Sequence, residues 1–215
     1  MIIGGPALTK YNDRTLRNLT TAPASASSSP GALVHIKTLT ASSSSTLSFV
    51  DGTDSVVLDS TYPIYKFEFI NMHPSEDGRK ITFQANASGG SGYNETITSS
   101  FFLSQLREND TNASLSYNSN EDQGNGTSFQ NFTSPIGNGN DESGSGELWL
   151  YGISSTTFVK HFMANFQIYE DNSASVNTYA AGYFNTTSAL DEFQFKFNSG
   201  NIDSGTIKLY GIKDA

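Results

Sequence analysis

The 215-residue chain contains no cysteine. Disulfides, thiol chemistry and cysteine-ligated zinc are excluded, and with them a small secreted scaffold held by disulfides. Its three histidines, at positions 35, 73 and 161, are too scattered to suggest a zinc site. Positive charge is scarce: 12 Lys and Arg stand against 21 Asp and Glu, for a net charge of −9. That balance disfavours nucleic acid, whose binding needs a cationic surface to displace counterions, and docking to an anionic membrane. No apolar run reaches the roughly 18 residues of a membrane span. The opening Met1-Ile-Ile-Gly-Gly-Pro has neither a cationic stretch nor an apolar one after it. Neither membrane insertion nor export by the usual route is expected. No Gly-x-Ser-x-Gly elbow occurs.

What is present is β-patterned. Two segments echo each other, Gly-Glu-Leu-Trp-Leu-Tyr-Gly-Ile at 146–153 and Gly-Thr-Ile-Lys-Leu-Tyr-Gly-Ile at 205–212. As strands, each turns successive side chains to opposite faces. Leu148 and Leu150 then share one face, with Trp149, Tyr151 and Ile153 on the other. Ile207 and Leu209 share one face of the second, and Leu150 and Leu209 are expected to be equivalent core positions. Gly152 and Gly211 fall where a strand would bend or let another backbone approach.

Residues 1–31 read as an arm. A short helix over 12–19 carries Leu16 and Leu19 on one face, with Asn12 or Asp13 as cap. A low-complexity Ala/Pro/Ser linker follows at 22–31. With Tyr11, these leucines make the arm either an anchor on a neighbouring subunit or a frayed terminus. From 32 to 215 a single domain of about ten strands is expected, with turn signals every 8–12 residues. At 32–39, Leu33, His35 and Lys37 oppose Val34, Ile36 and Thr38. Residues 62–71 and 79–86 read as a hairpin, 134–146 as a surface loop. Residues 65–70 resemble 193–197, both with phenylalanines at alternate positions. The fold class is all-β: an antiparallel jelly-roll-like β-sandwich with an extended N-terminal arm.

Catalysis finds little purchase. A glycosidase needs two carboxylates, one with a raised pKa. Glu68, Glu95, Glu147, Asp191 and Glu192 are the candidates, but strand carboxylates opposite an apolar face are ordinarily solvated. No enzyme, cofactor or metal site is expected. The segment 118–124 superficially resembles a calcium loop, but its glycine is at the seventh position and helical signals are absent. Eight Asn-x-Ser/Thr sequons are explained by Asn, Ser and Thr richness. Loop aromatics Tyr93 and Tyr117 are candidates for stacking on sugars, and Phe129 is expected to cap the core.

Several blocks carry a family resemblance: Ile-Tyr-Lys-Phe-Glu-Phe-Ile-Asn-Met-His-Pro at 64–74, Ile-Thr-Phe-Gln at 81–84, Tyr-Asn-Glu-Thr-Ile-Thr-Ser-Ser-Phe-Phe at 93–102, Ile-Gly-Asn-Gly-Asn-Asp-Glu-Ser at 136–143, Ser-Thr-Thr-Phe-Val-Lys-His at 155–161, and the strand at 205–212. Over about residues 30–213 the chain resembles a family of virion structural proteins from marine tailed phages of the cyanophage and pelagiphage kind. The resemblance implies a role in the particle and brings no catalytic residues. The expected function is a capsid decoration or cement subunit, assembled in the host cytoplasm and held in the virion by its arm and sandwich. The alternative is a tail-fibre or receptor-binding module recognising host glycans. Expected partners are phage capsid or tail proteins and further copies of the chain, in a homo-oligomer expected to be a trimer.

Overall fold

Regular alternation of large apolar and polar side chains, interrupted by Gly- and Asn-rich turns, produces strands throughout the computed structural model, which describes residues 32–213. The arm at 1–31, with Tyr11, Leu16 and Leu19, lies outside the described residues. Twelve strands follow in order: β1 (Leu33–Ser44), β2 (Leu47–Val50), β3 (Ile64–Pro74), β4 (Ile81–Ala87), β5 (Ile97–Arg107), β6 (Ala113–Tyr117), β7 (Gln130–Asn131), β8 (Gly144–Tyr151), β9 (Lys160–Glu170), β10 (Ala174–Phe184), β11 (Leu190–Phe197) and β12 (Ile202–Ile212). An eight-stranded sheet, ordered β1-β12-β3-β8-β9-β10-β5-β6, packs against a four-stranded one, ordered β2-β11-β4-β7. Every strand pairing is antiparallel. This is the all-β, jelly-roll-like sandwich expected from the sequence.

Phenylalanines fill the space between the layers. Phe67 and Phe69 of β3 and Phe195 of β11 face one another, with ring centroids 4.9 and 5.1 Å apart. Phe83 of β4 stacks on Phe132 at 4.4 Å and meets Phe162 of β9 edge-on at 5.1 Å. The likeness between 65–70 and 193–197 thus marks the two opposing walls of the core. Each wall must present large apolar side chains at every second position.

The echoed segments flank β3 on its two sides, but out of step. Leu150 and Leu209 are both fully buried core positions, as expected, but Leu150 pairs with Tyr65 and Leu209 with Phe67, an offset of two residues along β3. The two glycines also differ. Gly152 has φ +59° and ends β8, which resets the alternation and buries Ile153 instead of leaving it beside Trp149 and Tyr151. Gly211 stays inside β12, where an added Cβ would lie 2.3 Å from the Tyr62 ring.

Three other expectations are corrected. Residues 62–71 and 79–86 are not a hairpin: β3 has β12 and β8 on its two edges, so β4 has no edge to join and enters the other sheet. Residues 134–146 are not all surface loop: 144–146 open β8, and 134–137 run largely buried behind Phe132. Phe132 and Ile136 are fully buried, and the segment is tied to the start of β4 by Phe132 N–H to Ile81 C=O at 2.8 Å and by Ile136 N–H to Arg79 C=O at 2.8 Å. Only 138–141 are exposed throughout. Finally, a bulge between His35 and Lys37 resets β1 and turns Thr38 to the exposed side with His35.

Candidate functional site

The outer faces of the two sheets differ in what covers them. In β4 even the outward-facing Thr82, Gln84 and Asn86 are buried. The Gln84 amide donates to the carbonyls of Glu95, Thr127 and Ser128 at 2.9–3.2 Å, so loops roof the small sheet. Among the described residues the outer face of the large sheet has no such roof, and it is rich in rings. One row across it runs Tyr210, Lys66, Trp149, Met163, Ala181. The next runs Glu68, Glu147, Asn165, Tyr179, Phe102, Tyr117. Phe102 and Tyr179 stack at 4.8 Å, yet both are more than two-fifths exposed and Met163 is 56% exposed. A groove of about 320 Å³ is lined by Glu147, Trp149, Tyr151, Met163, Asn165 and Tyr179. It continues through Met163 into a second depression bordered by His161, Ala181 and Tyr183.

At the head of this groove Lys66 is clamped. Its ammonium lies 3.0 Å from Glu68 and 2.9 Å from Glu147, and 5.1 Å from the centre of the Trp149 ring. Burial opposes the Lys66 charge, but hydrogen bonds to Glu147 and Glu68 and their negative charges outweigh it and raise its pKa. Burial likewise opposes the Glu147 carboxylate. The Lys66 bond, the Trp149 indole N–H and the Lys66 charge overcome it and hold the pKa below the ordinary value. Glu68 also accepts a bond from the Tyr210 hydroxyl. The arrangement fixes Trp149 and keeps Glu147 ionised, the reverse of what a glycosidase acid requires.

The carboxylates that are pushed upward lie elsewhere, at the β9–β10 turn. Burial raises the pKa of Glu170, helped by the charge of Asp171 and opposed by Arg107. Burial also raises Asp171, with the charges of Asp77 and Glu142 adding and Arg107 opposing. A raised folded-state pKa means the fold takes up protons as pH falls toward the unfolded value, so acidification stabilises it. The depressed Glu147 works oppositely: its contribution is complete above its unfolded pKa near 4.5 and is lost as pH falls through the lower folded value. Thermal stability is therefore expected to rise as pH falls from neutral into the carboxylate range and to fall again on further acidification as Glu147 protonates. Melting curves across pH 3–8 check this. Asp171→Asn should flatten the rise, and a monotonic increase up to pH 8 would contradict it.

The other residues singled out from sequence are dispersed. The Tyr93 hydroxyl bonds to Ser48 and Glu192 on the small-sheet side. Tyr117 sits in β6 and donates to Asp122. The two tyrosines share no bond and no groove. Glu95 accepts from the Ala87 N–H at 3.0 Å. In the segment 118–124 the acidic groups are divided: Glu121 is buried against Lys80 and Asn131, while Asp122 bonds to Tyr117. Phe129 lies beneath the Lys196 ammonium at 4.0 Å. Lys66, Trp149, Met163 and Tyr179 were not singled out as site residues. The signal available was Trp149 and Tyr151 opposite Leu148 and Leu150: a strand with large side chains on both faces buries one and must use or cover the other.

The chain matches no protein-family model, no curated protein and no solved structure. Among the described residues, no helix is long and apolar enough to cross a membrane.

Proposed function

We propose that this chain is a non-catalytic structural protein of a phage particle, a decoration or cement subunit that docks onto neighbouring capsid proteins in the virion. The phage setting rests on the sequence resemblance. The docking role rests on one observation: the unroofed aromatic face of the large sheet, centred on Trp149. Contiguous apolar surface of this kind usually marks an interaction site, and Trp and Tyr are the side chains that most often dominate such contacts. The expected arm at 1–31 would supply a second attachment, with Tyr11, Leu16 and Leu19 as its contacts.

A receptor-binding tail module is the second reading, and the groove itself favours it. Aromatic walls with Asn165 and Glu147 at hand suit a sugar ring, which stacks by one face and hydrogen-bonds by its edge. Copy number relative to the major capsid protein, measured by quantitative proteomics of purified particles, separates the two. Hundreds of copies are expected for decoration and about a dozen for a tail part. Absence from the particle would overturn both.

A further inference from the structure

β6 is the outermost strand of the large sheet, and all five of its residues, Ala113–Tyr117, are exposed. Leu115 is 75% exposed. Even Ser114 and Ser116, which face inward with Gln105 and Leu103, are uncovered by the second layer. Among the described residues the strand pairs on one side only, with β5. The Arg107 N–H donates to the Asn112 carbonyl at 3.0 Å and the Asn118 N–H to the Phe101 carbonyl at 2.9 Å. In an antiparallel ladder such bonds recur at every second residue, so Ala113, Leu115 and Tyr117 turn their N–H and C=O groups away from β5.

Open edges are normally guarded by charge, proline or a bulge. The opposite edge of this sheet is guarded: β1 is bulged at His35–Lys37, and the Lys37 ammonium reaches across to the Asp54 carbonyl at 3.0 Å. β6 has no charge, no proline and no bulge.

We infer that β6 is a self-pairing edge, through which two copies of this chain join antiparallel about a twofold axis at Leu115. A second copy is the occupant because the strand is complementary to itself. On that axis Leu115 meets its own image and Ala113 meets Tyr117, a small side chain against a large one. Every outward N–H and C=O of the three residues then finds a partner. No charge on either strand opposes the approach of two chains that each carry −9. The seam would also make the two aromatic faces one continuous surface, so a partner docked on it gains avidity. The pairing does not depend on what that face binds, and it gives twofold symmetry where a trimer was expected from sequence. Five residues a side bury less than the roughly 800 Å² per partner of a standard interface, so the dimer should be concentration-dependent.

The cysteine-free chain allows a direct test with the full-length protein. Directly paired residues lie about 5.5 Å apart at Cα, within disulfide reach, whereas Ala113 and its own image would be about 14 Å apart, four residues along and one strand across. On mild oxidation, Leu115→Cys should form covalent dimer at least tenfold faster than Ala113→Cys. Mixing Ala113→Cys with Tyr117→Cys should restore cross-linking. Sedimentation should show a monomer–dimer equilibrium in the parent protein and monomer alone for Leu115→Lys, with circular dichroism unchanged. Monomer at every concentration, equal cross-linking of the two single variants, or a dimer that survives Leu115→Lys would each overturn the inference.

Discussion

Replacing Phe195 with alanine should lower folding stability by about 3–5 kcal/mol, a large share of the 5–15 kcal/mol that holds a typical domain together. Phe195 is fully buried on β11 and lies 4.9–6.4 Å from the rings of Phe67, Phe69, Phe83 and Phe49. Those four rings come from both sheets, so the cavity would open between the layers, where rigid sheets cannot close over it. Urea unfolding of the variant checks the loss. Phe195→Leu, which keeps most of the volume, should cost clearly less. The double variant with Phe67→Ala should fall short of the sum of the single losses, because the two rings share one contact. A loss under about 1 kcal/mol for Phe195→Ala would mean that the layers relax together far more readily than close packing allows.

Trp149→Ala should weaken attachment to the particle, or to a glycan if that is the ligand, by about 30-fold or more while leaving the fold intact. Aromatic anchors at the centre of a contact commonly contribute 2 kcal/mol or more when truncated. The Trp149 ring stands on the outer face beside the groove, its indole N–H bonds to Glu147 and the Lys66 ammonium approaches its face. Removing it takes away ring surface and loosens the side chains that border the groove. It opens no cavity between the sheets, because the inward positions of β8 are Leu148 and Leu150. Rebinding of purified variant to particles lacking the protein, alongside its melting temperature, separates the two effects. Unchanged binding by a folded variant would show that this face is not the docking surface.

How far these features were legible in the sequence can be traced through particular strands. Strict alternation at 193–197 predicts inward Phe193, Phe195 and Phe197, and all three are buried on β11. Alternation fails where the backbone departs from the regular pleat. The bulge in β1 and the left-handed Gly152 each shift the inward face by one residue, and neither has a signature beyond a residue that tolerates it. The buried segment at 132–137 was unreadable because few of its residues are apolar. It is held inside by main-chain bonds and by the Thr178 hydroxyl, which donates to the Phe132 carbonyl at 2.6 Å.

The sequence by itself determined that the chain is all-β, roughly where most strands lie, which of the regularly alternating side chains form the core, and that the net charge is strongly negative. Those properties are local or additive: side-chain period, turn chemistry, composition. Only the tertiary structure decided that 62–71 and 79–86 lie in different sheets, and that the two Leu-Tyr-Gly-Ile segments flank β3 two residues out of step. It alone decided that, among the described residues, one outer face is roofed and the other bare, and that β6 ends its sheet unpaired. Strand order and layer coverage depend on which distant segments meet, and pairing between residues a hundred positions apart leaves no mark in the period of either one.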